Sequence, residues 1–201
     1  MRTAWLGELI GERCLACGAP GVDLCGSCRG SLRGTSQRSL PRGATSVIAA
    51  WAYEGAARAL ILSLKLKGHR TAAQPLIEGM AEAALREGLG AALVSWVPGR
   101  RSDIRARGFD HAEVLGRGLA GKLGLRAAPL IRRQIAARDQ TTLSARDRAM
   151  NVRGAFASAA SPPAVVLVDD LITTGATASA CAVTLRAAGA ESVEVVVACR
   201  A

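Results

Sequence analysis

Apolar residues recur along this chain at two different periods, and the switches between them mark out its elements. Residues 46–53, 93–97 and 192–199 are short runs rich in valine, alanine and tryptophan, and read as strands. Val165-Val166-Leu167-Val168 is an unbroken apolar run, three of its four residues β-branched. That is the pattern of a strand buried on both faces, as in parallel sheets. Between these runs the spacing turns helical. Residues 55–67 set Ala59, Leu62 and Leu66 along one face and end at Gly68 as a C-cap. Helices are also predicted over 72–88, 111–123 and 178–188, and a weaker strand over 128–131. Strands alternating with helices predict an α/β fold, a mostly parallel sheet flanked by helices.

The stretches without a period are equally informative. Residues 30–43 are rich in Ser, Arg and Gly and read as a linker. Residues 100–110 place four arginines, Arg100, Arg101, Arg105 and Arg107, in an expected loop between a strand end and a helix start. Guanidinium groups there can fork onto phosphate oxygens, or simply solvate a basic turn. Arg132 through Thr142 lacks an apolar face, and residues 138–143, with Arg138, Gln140 and Thr141, read as a mobile loop long enough to be functional. Ser144 can cap a short helix running to residue 151.

At 201 residues the chain suits one medium domain with a small appendage, divided here into residues 1–43 and 44–201. Half of it is hydrophobic but only 3% aromatic, so its core must be built from Ala, Leu, Val and Ile. The net charge of +10 is concentrated, with +8 falling in residues 100–153. Such a segment can hold a small polyanion, a nucleic acid, or both. No run approaches the roughly eighteen apolar residues of a membrane span. The N-terminus carries Glu8 and Glu12 instead of an apolar signal core, so a cytoplasmic protein with reduced thiols is expected.

Four of the six cysteines are paired in spacing: Cys14-x2-Cys17 and, seven residues on, Cys25-x2-Cys28. Two such knuckles present four thiolates to one tetrahedral ion, a closed structural Zn²⁺ site. The alternatives are two disulfides or unrelated thiols, which a reducing compartment and the paired spacing disfavour. About forty residues bury too little apolar surface to fold alone, so the metal supplies local folding energy. Cys181 and Cys199 fall on a predicted helix and strand and read as small core residues. His69 and His111 have no partner cluster in sequence and are assigned no catalytic role.

The richest chemistry follows the strand at 165–168. Asp169 and Asp170 stand at its carboxyl end, where open α/β sheets place ligands. Thr173-Thr174-Gly175-Ala176-Thr177 then opens a helix, and N–H groups and hydroxyls gathered at a helix start make an anion site. Acids beside a phosphate cradle point to a sugar phosphate. The plainer alternative is a capped turn followed by ordinary helix-start threonines. Gly116-Arg117-Gly118-Leu119-Ala120-Gly121 also matches G-x-G-x-x-G, but it lies within a predicted helix with no strand just before it. It is not a dinucleotide fingerprint. Lys65 and Lys67 read most simply as a solvated helix end.

The string from Val165 to Thr177 resembles the phosphoribosyl diphosphate (PRPP) loop of type I phosphoribosyltransferases. The wider pattern is similar to the ComF family, in which a four-cysteine zinc element precedes such a domain. The matching residues are Tyr53-x-Gly55, Lys65 with Gly68, Val97-Pro98, Arg105-x-Arg107-Gly108-Phe109, Gln140-x-x-Leu143, Arg146, Asn151 and Gly154-Ala155-Phe156. Asp110-His111 departs from it, since the family commonly has Asn-Gln there. The resemblance implies a type I phosphoribosyltransferase fold with a small N-terminal zinc-ribbon-like element. It implies that Asp169 and Asp170 hold the ribose hydroxyls, Thr173–Thr177 the phosphate, and Arg105, Arg107 and Lys65 the pyrophosphate bridged by Mg²⁺, beneath a lid at 132–143. Three roles follow: transfer of phosphoribosyl to an acceptor; a competence factor binding single-stranded DNA or a nucleotide signal and recruiting DNA-uptake machinery; or a PRPP sensor without turnover.

Overall fold

Five parallel strands form the centre of the molecule, in the order β1-β7-β6-β2-β3. They are β1 (Ser46–Ala52), β2 (Leu93–Trp96), β3 (Arg126–Ala127), β6 (Ala164–Ile172) and β7 (Ser192–Arg200). The computed structural model describes residues 13–35, 39–90, 93–134 and 155–201. The central pair, β6 and β7, is in register from Ala164↔Ser192 to Ile172↔Arg200. Both strands are apolar at nearly every inner position, as a sheet covered on both faces requires.

Helices α2 (Gly55–Leu66), α3 (Ala73–Glu87) and α5 (His111–Leu123) cover one face, and α6 (Ala176–Ala187) covers the other. Successive strand residues point to opposite faces. Val166 and Val168 therefore lie in the cluster under α2, α3 and α5, whereas Val165 and Leu167 lie in the one under α6. The expected α/β architecture is thus the one observed. At the N-terminal end, α1 (Gly26–Gly30) and the cysteine knuckles pack through Cys14 and Leu24 onto the α2/α3/α5 side of the core.

Three local expectations are corrected. The arginine-rich stretch expected as a loop is a short helix, α4 (Arg101–Arg107), stopped by Gly108 at φ 81°. Its only half-buried apolar residue is Ile104, so it shows no periodic signal, while Asp103 in its first turn favours the helix dipole. The strand expected at 128–131 lies earlier, as β3, and Pro129 (which has no N–H to donate) follows it. Beyond it, β4 (Arg132–Arg133) and β5 (Phe156–Ala157) make a separate antiparallel pair. The C-terminal part of the expected linker is tied down: Arg42 N–H donates to Ser179 Oγ at 3.0 Å, and the Arg186 side chain donates to Gly43 O at 3.0 Å.

Two of the three glycines of α5 are explained by packing. A Cβ on Gly116 would lie 3.1 Å from Trp96, and one on Gly118 would lie 2.2 Å from Ile77 of α3. They let α5 approach the sheet and its neighbouring helix, which accounts for Gly116 and Gly118 without a ligand. Gly79 of α3 is tighter still, since a Cβ there would meet two ring atoms of Trp51 at 2.1 Å. A rigid indole has little room to yield, so Gly79→Ala should cost about 1–3 kcal/mol by overpacking. Gly121 has nothing within 4 Å of the same position, and Gly121→Ala should gain about 0.5–1 kcal/mol in helix propensity. Denaturant midpoints of the two variants check both signs.

Candidate active site and metal centre

Strand β6 runs four residues further than its apolar run, so both acids lie inside it and point to opposite faces. Asp170 turns to the side of α2 and α5 and is 1% exposed. Lys65 Nζ, near the end of α2, lies 2.7 Å from its Oδ2, and His111 Nε2, at the start of α5, lies 3.3 Å from its Oδ1. Burial alone would raise the Asp170 pKa. The hydrogen bond from His111 and the charge of Lys65 outweigh it and hold the carboxyl well below the usual carboxylate range. Asp169 is half-buried and goes the other way. Its desolvation, and then the negative charge of Asp170, push its pKa well above the ordinary value, although its Oδ1 accepts the Asp170 N–H at 2.9 Å. Two adjacent carboxylates are thereby given different environments.

Two cavities meet at this point. A cleft of about 700 Å³ is lined by Lys65, Arg100, Arg107, Arg133, His111, both acids, Thr173 and Thr177. A pocket of about 60 Å³ beside it is formed by residues 171–178 together with Asp169 and Val197. Gly175 adopts φ 73° at the N-cap of α6, a left-handed turn that favours glycine. Ala176 N–H reaches Thr174 Oγ1 at 3.4 Å, and the first-turn N–H groups of α6 have no partner within their own helix. The small pocket thus combines a helix N-terminus with threonine hydroxyls, the makings of an anion cradle.

The candidate residues named from sequence divide by placement. Asp169, Asp170, Lys65, Arg107, Thr173 and Thr177 line the cleft, and Thr173, Thr174, Gly175, Ala176 and Thr177 line the small pocket. Arg105 is exposed on α4 and does not line the cleft. Arg107 lines it, but its Nη1 donates to the Lys65 carbonyl at 2.6 Å, which ties α4 to the end of α2. Arg138, Gln140 and Thr141 lie outside the described residues.

Arg100, Arg133 and His111 join the site although sequence reading gave them no specific role there. Arg133 is held by the Pro98 carbonyl, 3.3 Å from Nη2, with its guanidinium 4.7 Å above the Phe156 ring. His111 is brought in by its neighbour. The Asp110 carboxylate caps α5 through Ala112 N–H at 3.0 Å and accepts Gly99 N–H at 2.8 Å, fixing the helix start to the loop after β2. Its position just after a helix-capping aspartate was the available signal.

A divalent cation suits only part of this set. Ligand atoms of His111, Asp169 and Asp170 lie within 4.8 Å of one another, but the Lys65 ammonium already neutralises Asp170. Asp169 is left as the carboxylate that would hold Mg²⁺, with the remaining ligands coming from substrate oxygens and water.

The second centre is the cysteine cluster. Ligand atoms of Cys14, Cys17, Cys25 and Cys28 lie within 4.8 Å of one another, and Cys17 Sγ is 3.6 Å from Cys25 Sγ. A tetrahedral ion with Zn–S bonds of about 2.3 Å requires sulfurs about 3.8 Å apart, whereas a disulfide requires about 2 Å. All four thiols are free, and Cys25 N–H points at Cys14 Sγ at 3.5 Å, as in a knuckle that holds a thiolate. The set fits zinc. Cys181 and Cys199 are fully buried core residues, and burial pushes the Cys199 thiol up to about 12.

Neither a protein-family model nor a curated protein matches the chain. Among solved structures it is similar to an allosteric regulatory enzyme of purine biosynthesis, with 24% identity and a TM-score of 0.44, over 62% of this chain and 25% of that one. It is also similar to glutamine PRPP amidotransferase from B. subtilis, at 24% identity and TM-score 0.42 over 61% and 25% of the two chains. Adenine phosphoribosyltransferase from Leishmania tarentolae follows at 17% and 0.38, over 67% and 58%. The chain therefore spans about a quarter of the first two. At these scores the likeness does not decide the function, and the site's own residues must.

Zinc titration should saturate at one ion per chain, and a strong chelator should lower the melting temperature by releasing it. Cys14→Ser should reduce the stoichiometry, whereas Cys181→Ser and Cys199→Ser should leave it unchanged. Plasma emission spectrometry on the purified variants reads each outcome.

Proposed function

We propose that the cleft binds PRPP with Mg²⁺ and transfers its phosphoribosyl group to an acceptor, releasing pyrophosphate, in the manner of the ComF family the sequence resembles. The observation that supports this reading is Asp169 at the junction of the two cavities. On one side is a pocket of phosphate size at a helix N-terminus, and on the other a larger cleft with four cationic side chains. A molecule with a phosphate at one end, hydroxyls in the middle and a diphosphate at the other end matches that order of groups.

In this reading residues 173–177 hold the 5′-phosphate, Asp169 accepts hydrogen bonds from the ribose hydroxyls, and Arg100, Arg133 and Lys65 face the diphosphate. Arg107 holds Lys65 in place through its carbonyl. The bond from the anomeric carbon to the diphosphate oxygen breaks and a bond from the acceptor's nucleophilic atom forms, its proton passing to solvent. Bound Mg²⁺ supplies charge neutralisation on the diphosphate. The arginines act in the same sense, stabilising charge that develops on the leaving group. The four-cysteine element, taken as a unit ending near residue 43, has a structural role with Zn²⁺, because four thiolate ligands leave no open position.

Single-stranded DNA is the weaker alternative. Among the described residues no aromatic side chain is exposed, so a platform for base stacking is lacking there.

Calorimetric titrations with ribose 5-phosphate and with pyrophosphate plus Mg²⁺ separate the two halves of the site. Gly175→Val puts a β-branched side chain at φ 73° and should abolish ribose 5-phosphate binding while sparing pyrophosphate. Arg133→Ala should do the converse, weakening pyrophosphate about tenfold. Failure of a folded, zinc-loaded chain to bind either fragment would remove the reading.

A further inference from the structure

Asp170 is not free to meet a ligand. Both carboxylate oxygens are already faced, Oδ2 by Lys65 and Oδ1 by His111, and the residue is 1% exposed. Each partner is itself anchored. Lys65 sits at the end of α2, where its carbonyl accepts the Arg107 side chain, and His111 opens α5 beside the Asp110 cap tied to Gly99. The alternation of β6 puts Asp169 on the other face, half-buried, at the junction of the two cavities.

We propose that the acid pair is divided in function: Asp170 is a positioning group clamped between Lys65 and His111, and Asp169 alone receives the sugar hydroxyls. The inference rests on the sugar-phosphate reading above and makes His111 a positioning residue for that site. A carboxylate only accepts, so His111 must carry hydrogen on Nε2 to serve it. The other ring nitrogen, Nδ1, is buried and has no hydrogen-bond partner among the described residues, so the imidazole's one polar contact is the one to Asp170. By holding Oδ1, His111 fixes the carboxylate in one orientation at the cleft wall and ties the end of β6 to the start of α5. Loss of that contact would leave Oδ1 unpaired and free the carboxylate to turn. Lys65, already 2.7 Å from Oδ2, would turn with it, away from the diphosphate side where the reading needs it.

The test uses the full zinc-loaded chain, PRPP with Mg²⁺ as the probe, and four variants. Asp169→Asn should weaken binding tenfold or more at an unchanged melting temperature, whereas Asp170→Asn should lower the melting temperature. His111→Leu, of similar volume but with no donor, should weaken binding about tenfold, and His111→Gln, which restores a donor, should recover most of it. A histidine that merely filled the core would tolerate leucine at least as well as glutamine. Equal affinity of His111→Leu and wild type overturns the division, as does unchanged binding by Asp169→Asn. A second readout needs no ligand: ¹⁵N NMR of the free protein should show the His111 Nε2 proton in a hydrogen bond to carboxylate. Its absence overturns the clamp, even if PRPP binds. Its presence in a chain that binds no PRPP supports the clamp and refutes the sugar-phosphate reading instead.

Discussion

A carboxylate almost sealed from water sits near the end of the central strand, and the arrangement of the cleft follows from compensating it. Removing an ionised group from water costs several kcal/mol unless opposite charge and hydrogen bonds replace its hydration. For Asp170 the replacements come from two different helices, Lys65 at the end of α2 and His111 at the start of α5. A third element joins through Arg107, whose guanidinium meets the Lys65 carbonyl, and the loop after β2 joins through Asp110 and Gly99. One buried charge therefore draws four segments to the carboxyl edge of the sheet. The cleft is the space left between them.

The rest of the core serves that edge without chemistry of its own. With few aromatics, the sheet is covered by aliphatic side chains, and close approach is achieved with glycine: Gly79 under Trp51, Gly116 against Trp96, Gly118 against Ile77. These contacts bring α3 and α5 close to the sheet and to each other, which sets where His111 emerges. On the opposite face α6 is held at its flank by the segment before β1, through Arg42 and Gly43. That tether connects the chain following the cysteine element to the helix whose N-terminus makes the small pocket.

Much of this was legible in the residues. The β6 run, the two acids and the threonine turn are contiguous, so period, acid pair and helix start could be read together. The cysteine pairs were legible because a metal knuckle is a local object with fixed spacing. His111 was not, because its partner lies at the end of β6, and only the folded sheet brings α5 beside that strand. Helix α4 was hidden for another reason: with arginines filling its surface and Ile104 its only half-buried apolar residue, it has no hydrophobic period to detect. Four arginines in one stretch looked interchangeable, yet the fold lines the cleft with Arg100 and Arg107 and leaves Arg105 outside it. Which basic side chain faces inward depends on helix phase, which a stretch without apolar markers does not reveal. The segment matched to a lid, including Arg138, Gln140 and Thr141, lies outside the described residues.

The central claim is that one sugar diphosphate spans both cavities, and the most direct measurement is a crystal structure of the zinc-loaded chain with PRPP and Mg²⁺. The account predicts the 5′-phosphate against the N–H groups of residues 173–177, the ribose hydroxyls on Asp169, and the diphosphate among Arg100, Arg133 and Lys65. Density for the diphosphate out on the exposed face of α4, with the small pocket at the start of α6 empty, would contradict it.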